Sequence, residues 1–168
     1  FEAILSNSET ILLSPTGTGK TLAFLLPILK ILNPTIKNIQ VLILVPSREL
    51  AIQIEQVIRE MGSGYKANAI YGGRSGSKDK IEIKHPPAIL IGTPGRIADH
   101  IERDTFEIKD IKTLVLDEFD KSLEIGFEED MKFIVEELSS VDKKILTSAT
   151  QKVKIPNFME IKNPIKLN

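Results

Sequence analysis

The sequence predicts an α/β fold, with a mostly parallel β-sheet that carries helices on both faces. Two observations support this fold class. Short apolar runs of the kind that form buried strands recur along the chain, and segments with apolar residues at helical spacing lie between them. Strands that alternate with helices form a parallel sheet with right-handed crossovers. Because the strands are parallel, their carboxyl ends lie at the same edge of the sheet. We therefore expect ligands to bind at that edge.

The individual elements follow from these apolar patterns and from the Pro and Gly residues that separate them. The predicted strands are short, mostly apolar runs, and they cover 11–13, 41–45, 67–71, 88–92, 113–116 and 143–146. The predicted helices have apolar residues three or four positions apart, and they cover 21–32, 48–61, 97–103 and 127–138. The end of a helix at 1–5 and a weaker helix at 77–84 complete the order.

The segment between the first strand and its helix is typical of a phosphate-binding loop. It contains Ser14-Pro15-Thr16-Gly17-Thr18-Gly19-Lys20-Thr21 and departs from the strict pattern at its first position, where that pattern has glycine. Its glycines let successive backbone N–H groups face a phosphate, Lys20 adds a positive charge, and the Thr21 hydroxyl would lie on a magnesium ion. A plain strand-to-helix turn is the alternative, but it leaves the Lys20-Thr21 pair unexplained.

Two consecutive acids follow the fifth predicted strand. An apolar strand that delivers Asp117 and Glu118 is typical of a phosphate-binding-loop hydrolase. Asp117 would bind magnesium through a water molecule, and Glu118 would polarise the attacking water. In the alternative interpretation Asp117 caps the following helix, and Glu118 and Asp120 are merely solvated.

Length and composition limit the classes of protein to which the chain can belong. Its 168 residues are enough for one domain with a full hydrophobic core, and 42% hydrophobic with 27% charged residues is ordinary for a globular protein. No apolar run approaches the ~18 residues of a membrane helix, and the first residues are not a signal peptide. We therefore expect a cytoplasmic protein without a membrane partner.

Cysteine and histidine usage and net charge exclude further classes. The chain has no cysteine, which excludes disulfides and thiolate metal sites. Its two histidines, His85 and His100, cannot by themselves form a metal centre, and we expect both at the surface. The net charge of -1 and the pI near 6.2 exclude a globally basic nucleic-acid binder. Any contact with nucleic acid must therefore be local.

Short polar or glycine-containing segments follow the other strands as well. They are 46–50 after the second strand, 72–73 after the third, 93–96 after the fourth and 148–150 after the sixth. The N–H groups of glycines and an arginine at a strand end can hold the phosphates of a nucleic acid without contacting its bases. Plain turns are the alternative at 72–73 and 93–96.

Together these segments resemble the first RecA-like domain of a DEAD-box RNA helicase, a superfamily 2 ATPase, and the resemblance covers nearly all 168 residues. Some of the motifs are weak patterns when taken singly, but six in this order are highly specific. In the terms of this family, 14–21 is similar to motif I, 46–50 to motif Ia, 72–73 to the double-glycine element, 93–96 to motif Ib, 117–120 to motif II and 148–150 to motif III.

The resemblance implies a role for each group of residues. The residues implied to hold the ATP phosphates and Mg²⁺ are Thr16, Gly17, Thr18, Gly19, Lys20 and Thr21. The implied catalytic residues are Lys20, Asp117 and Glu118, with Thr21 and, through water, Asp117 on the metal. Asp120 is implied to couple nucleotide state to domain closure through Ser148 and Thr150. The residues implied to contact the sugar-phosphate backbone of RNA are Ser47, Arg48, Gly73, Thr93, Gly95 and Arg96.

The sequence departs from the family pattern in four places. Phe119 replaces the alanine of motif II, which should change packing without removing the magnesium site. Ser47 replaces a threonine in motif Ia and keeps its hydroxyl. The segment between Gly73 and Pro86 lacks the glutamine usually found there, which puts one contact in doubt. The helix expected after Thr150 should be short or missing.

The resemblance also implies that 1–168 is a single N-terminal RecA-like ATP-binding domain cut from a longer chain. The family's adenine-reading segment would precede Phe1, and a second RecA-like domain would follow the linker-like residues 163–168. The family draws its arginine fingers from that second domain, and such arginines raise the turnover rate by ~10³–10⁵-fold. We therefore expect the domain alone to be a weak or inactive enzyme. The sequence has no obvious apolar stripe left over for a partner, so a monomer is the default expectation.

Two other functions remain open at this stage. A DNA-acting helicase of the same superfamily would share the phosphate-binding loop and the acidic motif, although motifs Ia, Ib and III together favour RNA. A non-catalytic nucleic-acid-binding module could keep the fold, but the intact Lys20, Asp117 and Glu118 argue against it.

Overall fold

The chain folds around one parallel sheet. A computed structural model describes residues 1–13, 18–72, 84–150 and 154–168, with only the backbone described at 18 and 19. Its strands are β1 (Glu9–Leu13), β2 (Val41–Leu44), β3 (Ala67–Ile70), β4 (Ile89–Gly92), β5 (Thr113–Leu116), β6 (Lys143–Ser148) and β7 (Ile165–Leu167). Their order in the sheet is β3-β4-β2-β5-β6-β1-β7, and every described pairing is parallel. The predicted α/β class is confirmed.

Helices connect most of these strands. They are α1 (Glu2–Ser6), α2 (Thr18–Ile31), α3 (Arg48–Met61), α4 (Pro94–Glu102), α5 (Phe119–Ile125) and α6 (Glu128–Glu137), and a 3₁₀ turn covers Asn157–Met159. Within the four described ranges, no helix has the length and apolar character needed to cross a membrane.

Two apolar cores show that the helices cover both faces of the sheet. One core joins α2 and α3, through residues such as Phe24 and Ile54, to alternate strand residues including Ile43. The other joins α4, α5 and α6, through residues such as Phe119, to the remaining strand residues, including Leu44. Because both faces are buried, these strands are continuous apolar runs in the sequence.

Local signals set the ends of α3. The hydroxyl of Ser47 accepts a hydrogen bond from the backbone N–H of Leu50 at 3.2 Å and so caps the start of the helix. Gly62 follows the last helical residue with φ of 61°, a left-handed conformation that glycine adopts without steric cost. The predicted helix at 48–61 is confirmed at both ends.

Two elements were not predicted, and two helices begin earlier than predicted. Helix α5 and strand β7 are short, and neither has the apolar period that marks the longer elements. Helices α2 and α4 each start three residues before the predicted 21 and 97, the second because a proline fits the first turn of a helix. The weak helix at 77–84 falls largely outside the described residues.

The histidine predictions had different outcomes. His85 is exposed, as predicted. The surface prediction for His100 is wrong, because its side chain is fully buried, with Nδ1 3.2 Å from Oγ1 of Thr105. His100 lies three residues after Ile97 and one before Ile101, on the side of α4 that packs into the core. The helical spacing that places Ile97 inside also places His100 there.

The segment after motif III is compact. Residues 151–153 lie outside the described part, and the described residues from 154 onwards contain the 3₁₀ turn and β7. Over 154–168 this agrees with the prediction that a helix there is short or missing.

Candidate functional site

The register of the sheet aligns the ends of its central strands. Leu44 of β2 pairs with Gly92 of β4 and with Leu116 of β5, and Leu116 pairs in turn with Leu146 of β6. The ladder runs one residue further, because the N–H of Asp117 donates to the carbonyl of Leu44 at 2.9 Å. The residues that follow these strands therefore lie side by side at the carboxyl edge of the sheet.

At this edge Thr147 connects the two acids. Its hydroxyl donates to Oδ1 of Asp117 and accepts a hydrogen bond from the backbone N–H of Glu118 at 2.8 Å. Asp117 is only 4% exposed, and Thr147 is fully buried. The Asp117 carboxylate is thus held in a fixed orientation by the neighbouring strand. The Asp117 carboxylate therefore forms its hydrogen bond with the neighbouring strand, and the N-cap residue of α5 is Glu118. Asp117 does not cap that helix, as the alternative interpretation had it.

The surroundings of Asp117 set its charge. Burial raises the pKa of its carboxyl group above the ordinary value, and the nearby Glu118 carboxylate raises it further. The hydrogen bond from Thr147 and the positive charge of Lys20 act against this rise without cancelling it. Lys20 is itself buried in the first turns of α2. The site therefore holds a carboxylate whose charged form an added cation would stabilise.

Glu118 is placed by an uncommon backbone conformation. Its φ and ψ are both 50°, in the left-handed region that few residues other than glycine adopt. Its carboxylate is half-buried and lies 3.3 Å from Nζ of Lys121, one turn into α5. Residues held in this region are often found at functional sites. The two consecutive acids consequently have different surroundings.

The phosphate-binding loop can be compared with its prediction only in part. Residues 14–17 lie outside the described residues, so the roles predicted for Thr16 and Gly17 stay predictions. Thr18 and Gly19 begin the backbone of α2, and Lys20 and Thr21 follow in its first turn, at the carboxyl edge of the sheet. A helix start at that place is the geometry that binds phosphates.

A cavity of about 340 Å³ lies beside this turn, between α2 and α3. Thr21 is one of its lining residues, and most of the others are apolar, such as Ile54, Val57 and Met61. Such a surface does not suit phosphate groups, so this cavity is not the phosphate site.

Most of the residues predicted to contact RNA lie at the same edge. Ser47 and Arg48 start α3 after β2, and Thr93, Gly95 and Arg96 start α4 after β4. Strands β2 and β4 are neighbours, so the two helix starts are also neighbours. Arg48 is 60% exposed and pairs with the adjacent Glu49 at 3.1 Å. Gly73 lies outside the described residues.

The residues predicted to couple the nucleotide to domain closure are near the same edge. The hydroxyl of Ser148 donates to the carbonyl of Thr150 at 2.9 Å and accepts from its N–H at 3.2 Å. Asp120 is buried, and its Oδ1 has no hydrogen-bond partner in the structure as described. The coupling role of these three residues stays a prediction.

Two contacts at the site were missed by the sequence reasoning. They are the hydrogen bonds of Thr147, which lies between the leucine and serine of β6, and the ion pair of Lys121 with Glu118. Thr147 is a polar residue inside a buried strand, but its contact with Asp117 depends on the pairing of that strand with β5, which the sequence does not give. The spacing of three residues on a helix would have indicated Lys121.

Comparisons with known proteins agree with this geometry. A family model described as DEAD/DEAH box helicase matches residues 1–158. The DEAD-box ATP-dependent RNA helicase CshA of Bacillus subtilis is 39% identical over 158 residues, which is 93% of this chain and 32% of that protein. The ATP-dependent RNA helicase DeaD of Escherichia coli is 37% identical over 150 residues, 88% of this chain and 24% of that protein.

A solved structure gives the same result for the fold. The crystal structure of a DEAD box protein from Methanococcus jannaschii matches with a TM-score of 0.83 and 32% identity, over 100% of this chain and 48% of that one. The predicted RecA-like fold is thereby confirmed. The chain spans about a third or less of the length of the two curated relatives.

Proposed function

Because the chain belongs to the DEAD/DEAH box helicase family, we propose that it is the ATP-binding motor domain of an RNA helicase. The observation that carries the proposal is the arrangement of Asp117 and Glu118, which Thr147 joins at the carboxyl edge of the sheet. Lys20 lies close enough to act on the charge of Asp117. A buried carboxylate, a lysine and a second carboxylate are the groups that phosphoryl transfer to water requires.

In this proposal the two acids have separate roles. Asp117, which is buried and fixed by Thr147, would hold a metal ion through water. Glu118 is the more accessible acid, and it orients the attacking water and accepts its proton. Lys20 stabilises the negative charge on the phosphates. The backbone N–H groups at the start of α2 hold the remaining phosphate oxygens.

The donor atoms present fit a magnesium ion. Mg²⁺ prefers oxygen ligands, and it is usually bound by one or two protein groups together with water and substrate phosphates. Among the described residues no group of three His, Cys, Asp or Glu side chains is placed to hold a metal alone. The hydroxyl of Thr21 and the carboxylate of Asp117 are the groups that would hold it. When bound, Mg²⁺ supplies positive charge that offsets the charge developing on the phosphates.

The proposed RNA contacts use two neighbouring helix starts. Thr93, Gly95 and Arg96 on one, and Ser47 and Arg48 on the other, offer backbone N–H groups and positive charge to successive phosphates. Such contacts hold the backbone without selecting a sequence. We propose that the RNA strand runs along these two helix starts, and that Gly73 adds a further contact to its backbone.

We also propose that this domain works with a second RecA-like domain. The support is that the chain spans about a third or less of the helicases it matches. Asp120, Ser148 and Thr150 would transmit the nucleotide state to that domain. A cytoplasmic location and a monomeric state stay predictions.

The test is ATP hydrolysis by the full-length protein, with single-stranded RNA, with single-stranded DNA of the same sequence, and with neither. We expect RNA to accelerate turnover and DNA not to do so. Glu118→Gln keeps the shape of the side chain but cannot accept a proton, and it should lower turnover by ~10²–10⁴-fold. The control is Glu124→Gln, an exposed acid of α5, which should leave turnover unchanged.

Two other outcomes would favour a different function, and a third would overturn the role of one residue. Equal stimulation by DNA would favour a DNA-acting helicase of the same superfamily. RNA binding without any ATP hydrolysis would favour a non-catalytic nucleic-acid-binding module. Full activity of Glu118→Gln would overturn the role given to Glu118.

A further inference from the structure

An acidic side chain lies against the proposed RNA-binding turn of α4. A Cβ atom placed on Gly95 would be 3.5 Å from Oδ2 of Asp130, which belongs to α6. That distance is ordinary van der Waals contact, so the carboxylate faces the first turn of α4 directly. Helices α4 and α6 pack together through the same core, which fixes this arrangement.

Asp130 differs from the other acids of its helix turn. Glu128 and Glu129 are exposed, whereas Asp130 is half-buried against α4. Its carboxylate has no hydrogen bond or ion pair with another side chain in the structure as described. Its negative charge is therefore directed at the turn without a described partner to neutralise it.

The first turn of α4 is a place where negative charge has a strong effect. The N–H groups of a first helix turn attract anions, and the side chain of Thr93 forms no capping hydrogen bond that would occupy one of them. A phosphate held there, near Gly95 and Arg96, would lie close to the carboxylate of Asp130. The negative charges of the phosphate and of the Asp130 carboxylate would then repel each other.

We propose that Asp130 sets the RNA affinity of this domain by electrostatic repulsion, weakening the hold of Thr93, Gly95 and Arg96 on the phosphate backbone. This inference rests on the proposed function, because it assumes that this turn contacts RNA. Asp130 does not take part in ATP hydrolysis. Its effect is on how tightly the strand is held and therefore on how readily it is released.

The expected size follows from the charges. Unit charges several ångströms apart that interact mainly through water change each other's binding by only about two- to fivefold. Salt screens such an interaction, so the change should be largest at low ionic strength and should shrink as salt is added.

The test is the dissociation constant of the full-length protein for a fluorescent single-stranded RNA, measured at low and at high salt. Asp130→Asn removes the charge and keeps the shape, and it should tighten binding about two- to fivefold at low salt. Glu129→Gln is the matched control, since it removes the same charge from the adjacent, exposed position. It should tighten binding by clearly less than Asp130→Asn. Urea unfolding checks that both variants are folded.

Three results would overturn the inference: no change in Asp130→Asn, weaker binding in Asp130→Asn, or equal tightening in Glu129→Gln. An Arg96→Ala variant separates this failure from failure of the proposed function. If Arg96→Ala weakens RNA binding while Asp130→Asn has no effect, only the role of Asp130 is wrong. If a folded Arg96→Ala variant binds RNA as the parent does, the RNA-binding role of the turn fails, and the role of Asp130 fails with it.

Discussion

The hydroxyl of Thr147 forms hydrogen bonds with both acids of the site. It gives one hydrogen bond to the side chain of Asp117 and receives one from the backbone of Glu118. Without it, the buried carboxylate would lose its orientation and the N–H of Glu118 its described acceptor. Because Thr147 is fully buried, water cannot easily replace these bonds.

Thr147→Val should therefore destabilise the protein although it preserves the shape of the side chain. Leaving buried polar groups without partners costs about 1–3 kcal/mol in the free energy of unfolding. The matched control is Thr10→Val, because the buried hydroxyl of Thr10 has no hydrogen-bond partner in the described structure. That variant should be neutral or slightly more stable. Urea unfolding measures both, and equal losses in the two variants would contradict this account.

The raised pKa of Asp117 predicts a pH dependence of stability in metal-free buffer. The folded protein retains this proton at pH values where the unfolded chain has released it, so Asp117 loses stabilising effect as pH rises from about 3.8 through its raised pKa. Asp117→Asn has no such proton. Its free energy of unfolding should therefore increase relative to the parent over this interval. Urea unfolding at several pH values with a chelator measures the difference, and a constant difference would refute the prediction.

Single residues also show how far the sequence could be interpreted. Asp117 and Glu118 could be placed at the carboxyl edge because they follow an apolar strand. Thr147 could be found only from the pairing of β5 with β6, which the sequence does not state. His100 was misplaced because a polar residue was assigned to the surface by type, whereas its helical position puts it in the core.

At the scale of elements, long apolar patterns were predictable and short segments were not. Strands such as β2 are buried on both faces, so their sequence alone identifies them. Helix α5 has seven residues and follows directly from the acidic motif, and β7 has three and pairs only with β1 among the described strands. Both depend on contacts with the rest of the fold more than on their own sequence pattern.

Helix α5 also explains the departure at Phe119. The side chain of Phe119 is buried in the core formed with α4 and α6. It anchors the helix that begins at Glu118. The alanine usual in the family would leave much of this volume empty here.

Phe119→Ala should accordingly lower the free energy of unfolding by about 3–5 kcal/mol, because it removes a buried aromatic ring and leaves a cavity. ATP hydrolysis per folded molecule should change far less. Ile125→Ala is the control at the other end of the same helix, where the side chain is 59% exposed, and it should have little effect. Thermal unfolding and turnover are the measurements. An equally stable Phe119→Ala variant would mean that the core can close around the smaller side chain.

At the scale of the whole molecule, the two edges of the sheet have different roles. The carboxyl edge carries the candidate site. At the amino end of β6, Nζ of Lys143 donates to the carbonyls of Ile4, Leu5 and Asn7 at 2.8, 3.3 and 2.7 Å. The carboxylate of Glu9 accepts hydrogen bonds from the N–H groups of Lys162 and Asn163. Both flanking segments are thus fastened to the sheet away from the site.

This separation predicts that stability can be reduced at the amino edge without changing the chemistry. Lys143→Met keeps the length of the side chain but removes all three donors, so the carbonyls at the end of α1 lose their partner. Hydrogen bonds from a charged group contribute about 1.5–3 kcal/mol to stability, so the free energy of unfolding should fall by about that amount. Lys166→Met is the control, because Lys166 is exposed on β7. Unfolding and hydrogen exchange should show faster opening of α1 in Lys143→Met alone, while the KM for ATP stays unchanged. A raised KM would mean instead that α1 positions the phosphate-binding loop through β1, so that the two edges are mechanically coupled.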